Sequence, residues 1–424
     1  MWGKLLALCC VISFLLIGVK LVPEADQAGP DIKVIPELGP FIQIWDDAGQ
    51  NVNPAIAYNS HRDEYLVVWV TEQDEFSWDI WGRRLRSDGS QIPNGWFNID
   101  NIAGVLLDDP AVAYNSLNDQ YLVVYSAELS ADDRDIWGKI INWNGVLSNR
   151  LPLDDRIQWQ MDPAVVYNHQ ENQYLLAYSD WQSATSINIH LQTLDQDGGW
   201  LKDKMIVSGE GIYRYAPELA YNSADNHYLV VYTNEGAYTP KVLGKSFSAA
   251  LVSLSPEVQY NDDGTVGLAP KIACRLDGCL VTWMTDMGNR IKARRIMWDA
   301  SSLGPLGGFE ISAPITDVIQ AIPSVALFKP WGYLIVWDYL LSTSFDQRDI
   351  FAAIVKFGQD QPDGNRFPID DRSNYQGKPA LACDSKGSCF IVNSYNPQQY
   401  PAGDREISGR LVFTYRSYIP LTMR

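Results

Sequence analysis

Seven prolines at near-regular intervals constrain this chain more than any other feature of its sequence. They recur every 53 to 56 residues, at Pro54, Pro110, Pro163, Pro217, Pro270, Pro323 and Pro379. A short apolar stretch follows each of them, for example PAIAYN at 54, PAVAYN at 110 and PAVVYN at 163. Self-similarity at a fixed period of about 50 residues is typical of repeat architectures, so one supersecondary unit builds most of the chain.

Each copy offers four strand-like segments in the same order. A run such as YLVVW at 65 follows the proline segment, then a run such as DIWGRRL at 79, then a short run such as NRFPIDD at 365. These runs are rich in Val, Ile, Tyr and Trp and are separated by turn residues, which indicates strands. No copy has a ten-residue stretch of helical periodicity, which excludes helical solenoids. The sequence therefore predicts an all-β, seven-bladed β-propeller of four-stranded blades.

The two ends of the repeat predict how the ring closes. The seventh copy supplies only three runs, the last at 406–413. A segment that resembles a fourth strand, FIQIWDDAGQN at 41–51, stands before the first copy. We therefore expect residues 41–45 to pair with the strand at 406–413 and to complete blade seven, which removes open sheet edges.

The N-terminus predicts export. Lys4 precedes the apolar run LLALCCVISFLLIGV at 5–19, which has the length of a signal-peptide core and is short of the about 20 residues of a bilayer span. No clean cleavage site follows, so an uncleaved membrane anchor stays an alternative. We divide the chain into a signal peptide or anchor at 1–28, a linker at 29–40, the propeller at 41–413 and a tail at 414–424, and expect an extracellular or cell-surface location.

Four cysteines replace tyrosines in matched pairs. Positions occupied by Tyr58 and Tyr65 in the first copy are Cys274 and Cys279 in the fifth copy and Cys383 and Cys389 in the seventh. Both members change together because they face each other across a hairpin, so we predict disulfides Cys274–Cys279 and Cys383–Cys389. A shared metal site would need the two pairs to converge, although a whole copy separates them.

Composition limits the class of partner. Asp and Glu outnumber Lys and Arg by 51 to 33, so the chain repels phosphate backbones and nucleic acid is excluded as a partner. Calcium, cationic groups and neutral sugars stay open. Acidic surfaces also keep exported proteins soluble, which needs no ligand at all.

The candidate ligand site lies in the loops that lead from a fourth strand into the next copy. These loops combine carboxylates, which accept hydrogen bonds from sugar hydroxyls, with aromatic rings, which stack on sugars. The candidate ligand-binding residues are Trp45, Asp46, Asp47, Asp108, Asp109, Asp154, Asp155, Trp159, Asp162, Asp370, Asp371 and Tyr375. Two alternatives stay open: Asp at strand ends often bonds its own backbone in an Asx-turn, and paired carboxylates can hydrolyse glycosides.

Other catalytic or cofactor chemistry has little support. Three of the four histidines, His61, His169 and His227, lie in first-hairpin loops of different copies, and no G-x-S-x-G occurs. The loop NDDGTVG at 261 lacks the terminal Glu of a calcium loop and leaves only a weak calcium site open. We therefore expect no catalytic residues, no metal site and no cofactor.

The order PAVAYN, YLVVW, DIWGR resembles a repeat of secreted bacterial β-propeller proteins that are mostly uncharacterised. The resemblance covers residues 41–413 and implies a propeller and an extracellular location, but no single activity. We expect a monomeric, exported, non-catalytic propeller that binds a glycan or protein partner through one face of the ring, and that meets a membrane only through an N-terminal anchor. The alternative is a carbohydrate-active enzyme, a glycoside hydrolase or lyase, that uses loop carboxylates.

Overall fold

The computed structural model describes residues 36–47, 49–206, 212–236, 239–285, 290–312, 322–340, 348–398 and 404–414. The predicted signal peptide and the tail after Thr414 lie outside these ranges. All regular elements within the described ranges are β-strands. The same ranges contain no helix that is long and apolar enough to cross a membrane.

The strands follow the repeat in groups of four. The first group is β2 (Gln50–Asn59), β3 (Glu64–Glu72), β4 (Trp78–Arg86) and β5 (Gln91–Asp100). The second is β6 (Leu106–Asn115), β7 (Gln120–Ser130), β8 (Asp133–Asn142) and β9 (Leu151–Asp154). The third is β10 (Gln160–Asn168), β11 (Gln173–Ser183), β12 (Ser186–Leu194) and β13 (Trp200–Met205).

The later copies repeat this order. The fourth group is β14 (Ile212–Asn222), β15 (His227–Glu235), β16 (Lys241–Ser248) and β17 (Val258–Gln259). The fifth is β18 (Leu268–Arg275), β19 (Gly278–Thr285), β20 (Arg290–Ile296) and β21 (Phe309–Glu310). The sixth is β22 (Ser324–Phe328), β23 (Gly332–Leu340), β24 (Arg348–Lys356) and β25 (Phe367–Asp370). The last comprises β26 (Gln376–Cys383), β27 (Ser388–Tyr395), β28 (Glu406–Thr414) and the N-terminal β1 (Pro36–Trp45).

Within a group each strand pairs antiparallel with the next one, from the first strand to the fourth. Short parallel contacts, β4 with β6 and β12 with β14, join neighbouring groups into larger sheets. The second strand of a group is almost wholly buried, as in β3 and β23, because side chains cover both of its faces. This burial explains why these runs are continuously apolar in the sequence.

The pairing of β1 with β28 confirms the expected partner of the N-terminal strand. Phe41 pairs with Arg410 and Trp45 with Ile407. The strand begins earlier than predicted, at Pro36, so part of the expected linker is sheet. A register shift after Leu38 lets the strand continue past the following Gly-Pro pair, and Arg410 Nε donates to the Gly39 carbonyl at 2.7 Å.

Apolar clusters join consecutive groups. In the described residues seven such clusters occur, and each draws its side chains mainly from two neighbouring groups. One of them packs Trp45 and Phe390 from the last group against Tyr65 and Trp69 from the first. The first strands also contact their neighbours in order from β2 to β26, and β26 contacts β2.

The hairpin between the first two strands carries a repeated Tyr-Asn motif. The Tyr58 hydroxyl donates to Asp63 in the same hairpin at 2.7 Å, and Asn59 Nδ2 donates to Asp119 of the next group at 2.9 Å. Equivalent bonds between groups join Asn115 to Asn172 and Asn168 to Asn226. The side chains of these turns therefore link each group to the next.

Both predicted disulfides are confirmed. Cys274 is bonded to Cys279 and Cys383 to Cys389, in each case across the hairpin of the first two strands. The paired tyrosines of other copies pack against each other at the same place, as Tyr58 and Tyr65 do with ring centroids 5.2 Å apart. The two kinds of pair therefore fill the same cross-strand position.

Candidate functional site

A cavity of about 440 Å³ is lined by all seven prolines of the repeat. We call it the proline cavity. The residue before each proline lines it as well, and these residues are Asn53, Asp109, Asp162, Ala216, Ala269, Ile322 and Lys378. Its volume lies within the range of about 300–1,000 Å³ that is usual for small-molecule sites. Each copy of the repeat thus contributes to one shared site.

A bulge in the first strand positions the residue before the proline. In six copies this residue has a left-handed backbone, with φ between 47° and 55°. The strand register shifts at the same point, for example between Asp108 and Ala111 in β6. Proline has no N–H to donate to the ladder, so the bulge falls where pairing is already interrupted. Around the cavity the repeated backbone therefore presents a side chain that differs from copy to copy.

Asp109 and Asp162, both predicted as ligand-binding residues, line the proline cavity. Burial, and then the negative charges of Asp108 and Asp162, raise the pKa of Asp109 to about 8. Burial also raises the pKa of Asp162, although Ser179 Oγ, at 2.9 Å, and the Ala216 amide bond its carboxylate. The raised pKa of Asp109 favours the neutral, protonated form of its carboxyl group near neutral pH.

Asp108, which is also a predicted ligand-binding residue, forms hydrogen bonds with neighbouring groups. Its Oδ1 accepts a hydrogen bond from Asn53 Nδ2 at 2.6 Å and another from the Asp109 amide at 2.7 Å. Asp108 thus holds Asn53, from the preceding copy, and the bulge of its own strand in place. It is a positioning residue for the cavity wall.

The cavity also carries two lysines and two further carboxylates. Lys271 Nζ donates to Glu218, and the two form an ion pair. Asp338 is 1% exposed and accepts a hydrogen bond from Arg348 through Oδ2 at 2.8 Å. Burial raises the pKa of Asp338, while Arg348 and Lys378 act in the opposite direction. Sequence reasoning missed Asn53, Glu218, Lys271, Asp338 and Lys378.

The residue before each proline is the sequence feature from which this site could have been predicted. The segments after the prolines keep the same apolar pattern from copy to copy, but the preceding residue is Asn, Asp, Asp, Ala, Ala, Ile or Lys. A position that varies chemically on an otherwise constant backbone is where a rigid scaffold carries specificity.

Two predicted carboxylates are buried and already paired. Asp154 receives hydrogen bonds from Arg156 Nη2 at 2.5 Å and from the Tyr178 hydroxyl at 2.6 Å. Asp370 is held by Arg372 through Nε at 2.9 Å and Nη2 at 2.6 Å. The end of a fourth strand directs the first Asp of each pair into the protein, where an Arg pairs with it.

Trp45 is also buried, being 8% exposed. Its ring packs against Trp69, Trp81 and Trp96 with centroids 5.2 to 5.6 Å apart. Side chains alternate between the two faces of β1, and this alternation places the Trp45 side chain at the contact between the last and first groups of strands. In the structure Trp45 therefore belongs to the packing between these two groups and does not line the proline cavity.

The remaining predicted residues lie away from the proline cavity. Asp46, Asp47, Asp155 and Asp371 are exposed and do not line it. Tyr375 is half-buried, with the guanidinium of Arg405 4.7 Å from its ring centroid. Trp159 lines a separate groove of about 350 Å³ together with Trp181, and their ring centroids are 5.7 Å apart.

In the loop at 261 that was left open as a weak calcium site, two carboxylates are paired with basic side chains of the protein. Asp262 Oδ1 accepts from Arg294 Nη1 at 2.8 Å, and Asp263 Oδ2 accepts from Lys292 Nζ at 2.5 Å. Within the described ranges no group of three or more His, Cys, Asp or Glu side chains could hold a metal ion.

No protein-family model matches the chain, and no curated protein sequence matches it either. Among solved structures it is similar to a protein of unknown function from Dyadobacter fermentans, at 10% identity and a TM-score of 0.50 over 73% of this chain and 95% of that one. The Dos1 propeller has 10% identity and a TM-score of 0.49 over 89% and 95% of the two chains. The Hadza microbial sialidase Hz136 has 11% identity and a TM-score of 0.48 over 82% and 76%. At such identities the likeness concerns the fold alone.

Proposed function

We propose that this chain is an exported, closed seven-bladed β-propeller that binds a glycan, without covalent chemistry, in the proline cavity. The ring is supported by the clusters that join each group to the next, including the last to the first, and by the pairing of β1 with β28. Export is supported by the apolar N-terminal run and by the two disulfides, which suit an oxidising compartment.

One observation carries the binding role. The proline cavity brings hydrogen-bonding side chains of opposite character from five copies into one space, namely Asn53, Asp109, Asp162, Lys271 and Lys378. Sugar hydroxyls both donate and accept, so a wall that offers both kinds of partner suits them. The lining prolines and alanines supply apolar surface for the C–H face of a sugar ring. The ligand thus enters a site built by the whole repeat, rather than a single loop.

A glycan array with purified protein tests this proposal. The variant Asp109→Asn with Asp162→Asn keeps the shape of the cavity wall and removes two of its carboxyl groups. Asp277→Asn is the matched control, because Asp277 is 65% exposed in the β18–β19 hairpin, where it forms an ion pair with Arg275 at 2.5 Å, and it does not line the cavity. We expect the wild type and the control to retain the same glycans and the double variant to lose them. Equal retention by all three proteins would contradict the proposal.

The alternative role of a glycoside hydrolase draws on the same two residues. Asp109, with its raised pKa, would act as the general acid, and Asp162 as the second carboxylate. Turnover separates the two roles. A binder returns a retained oligosaccharide intact, whereas an enzyme releases reducing ends and loses that activity in Asp109→Asn.

A further inference from the structure

Trp159 and Trp181 line a groove that the proposed function does not use. The groove has a volume of about 350 Å³, and the two indole rings lie 5.7 Å apart between centroids at an interplanar angle of 46°. We call it the tryptophan groove. Trp159 lies directly before β10 of the third group, whereas Ala131 and Asp132 reach the groove from the turn between β7 and β8 of the second group. Two neighbouring groups therefore build the groove together.

Contacts within the protein hold Trp159 in position. Its Nε1 donates to the Ala131 carbonyl at 3.0 Å, and its own carbonyl accepts from the Trp181 amide at 2.9 Å. The guanidinium of Arg134 lies 5.2 Å from the ring centroid of Trp159 and is paired with Glu128. Because the ring is already fixed, it loses little conformational entropy when a ligand stacks on it.

The residue before Trp159 adopts a strained backbone at the edge of the groove. Gln158 has a φ of 142°, a value that residues other than glycine rarely adopt. Its carbonyl accepts from the Arg134 amide at 3.0 Å, and its side-chain amide donates to the Gln182 carbonyl at 3.3 Å. Strain of this kind persists where neighbouring contacts enforce it, and it is concentrated at ligand-binding positions. Gln158 therefore points to a ligand independently of the two rings.

The chemistry of the groove favours a neutral ligand that contains a ring. Asp132 is the single charged residue among the described residues that line it, so the lining supplies no cation to neutralise a phosphate, a sulfate or a carboxylate. Asp132, Gln158 and Ser183 offer hydrogen-bonding groups beside the two apolar indoles. A pyranose ring matches this lining, because its C–H faces stack on aromatic rings and its hydroxyl groups bond polar side chains.

We propose that the tryptophan groove is a second subsite, in which a neutral pyranose ring of the bound glycan stacks on Trp159 and Trp181. This inference rests on the glycan role proposed for the proline cavity and extends it. Trp159 precedes Asp162 of the cavity wall by three residues, which span at most about 11 Å along the chain. One oligosaccharide is therefore long enough to reach both places, and the groove adds affinity to a chain that the cavity already holds.

Titration calorimetry with cellohexaose, a neutral chain of β-linked glucose units, tests the inference. We expect Trp159→Ala to bind it about tenfold more weakly than the wild type, a loss of about 1.4 kcal/mol, because the stacking surface is removed. Ala184→Arg fills the groove from an exposed turn position and leaves both indoles in place, so it should weaken binding to a similar extent. Trp200→Ala, at an exposed tryptophan that does not line the groove, should bind like the wild type.

Saturation-transfer NMR separates the groove from the cavity. At high cellohexaose concentration, transfer from protein to sugar should persist in Asp109→Asn with Asp162→Asn, and it should vanish when Ala184→Arg is added to that variant. Equal affinity of the wild type, Trp159→Ala and Ala184→Arg for cellohexaose would overturn the second subsite and leave the glycan site in the cavity standing.

Two further outcomes would also overturn the inference. One is a wild-type protein that does not bind cellohexaose, and an empty glycan array in addition would overturn the proposed function as well. The other is a decaproline peptide that binds the wild type but not Ala184→Arg and that cellohexaose does not displace, since the occupant of the groove would then be a peptide.

Discussion

Lys386 Nζ donates a hydrogen bond to Asp63 Oδ2 and so joins the last hairpin of the repeat to the first. At earlier junctions an asparagine makes the equivalent contact, as Asn59 does with Asp119. The Lys386 side chain is largely exposed and Asp63 is half-buried, so this ion pair contributes little to stability. The stability of the last junction must come from the apolar side chains beneath it.

Trp45→Ala is expected to destabilise the protein strongly. The substitution opens a void among Trp69, Trp81 and Trp96, and the loss of a buried aromatic side chain costs about 3–5 kcal/mol. Trp200→Ala is the control, because Trp200 is 62% exposed and should cost less than about 0.5 kcal/mol. Denaturant unfolding of both variants measures the difference. Similar midpoints would mean that Trp45 does not hold the junction.

Asp100→Asn is expected to destabilise the fold at neutral pH. Asp100 is 4% exposed and accepts from Arg150 at 2.6 and 2.7 Å and from the Tyr125 hydroxyl at 2.5 Å. Burial alone would raise the pKa of Asp100, but Arg150, Tyr125 and Lys139 outweigh it and hold this pKa below its usual value. Removing one charge of such a buried pair costs about 3 kcal/mol.

The pH dependence of that loss follows from the lowered pKa. The stabilisation by Asp100 is present above its unfolded pKa and disappears as the pH falls through its folded pKa. The gap between wild type and Asp100→Asn in thermal melts should therefore be wide at pH 7 and close toward pH 2. Asp155→Asn, at an exposed position, should follow the wild type throughout. A gap independent of pH would contradict this account.

Asp109→Asn is expected to stabilise the protein at alkaline pH. The pKa of Asp109 is raised, so its contribution to stability is present below its unfolded pKa and is lost as the pH rises through its folded pKa of about 8. Asparagine does not ionise, and it tolerates the left-handed backbone, as Asn53 does in the first copy. Between pH 5 and pH 9, the free energy of unfolding of the variant should rise by at least about 1 kcal/mol relative to that of the wild type. A constant difference would mean that Asp109 titrates normally.

Reduction of the two disulfides is expected to lower stability modestly. They close loops with sequence separations of only 5 and 6 residues. In the chain-entropy description each such bond contributes about 2 kcal/mol. The unfolding midpoint should fall after reduction but the protein should stay folded, with mass spectrometry confirming that both bonds are open. An unchanged midpoint would show that the bonds do not constrain the unfolded chain.

The repeat made much of the fold predictable. Copies with the same pattern must have the same strands, so the missing fourth strand pointed to β1, and the paired change to Cys274 and Cys279 pointed to a cross-strand contact. The start of β1 at Pro36 was not predictable, because a Gly-Pro pair normally marks a loop and only the bulge opposite β28 carries the strand across it.

The site was only partly predictable, because Asp pairs that look alike in the sequence lie in different places. In Asp154–Asp155 the first residue ends a fourth strand and points inward to an arginine. In Asp108–Asp109 both residues belong to a first strand, and the second one lines the cavity. Three-dimensional position, rather than residue type, separates the two cases.

The central claim is that ligand binds in the proline cavity, and a crystal structure with a retained glycan tests it most directly. The account predicts electron density for a sugar inside the cavity, with a polar group within hydrogen-bond distance of Asp109 or Asp162 and another facing Lys378. Density in the groove between Trp159 and Trp181, with the proline cavity filled only by water, would contradict it.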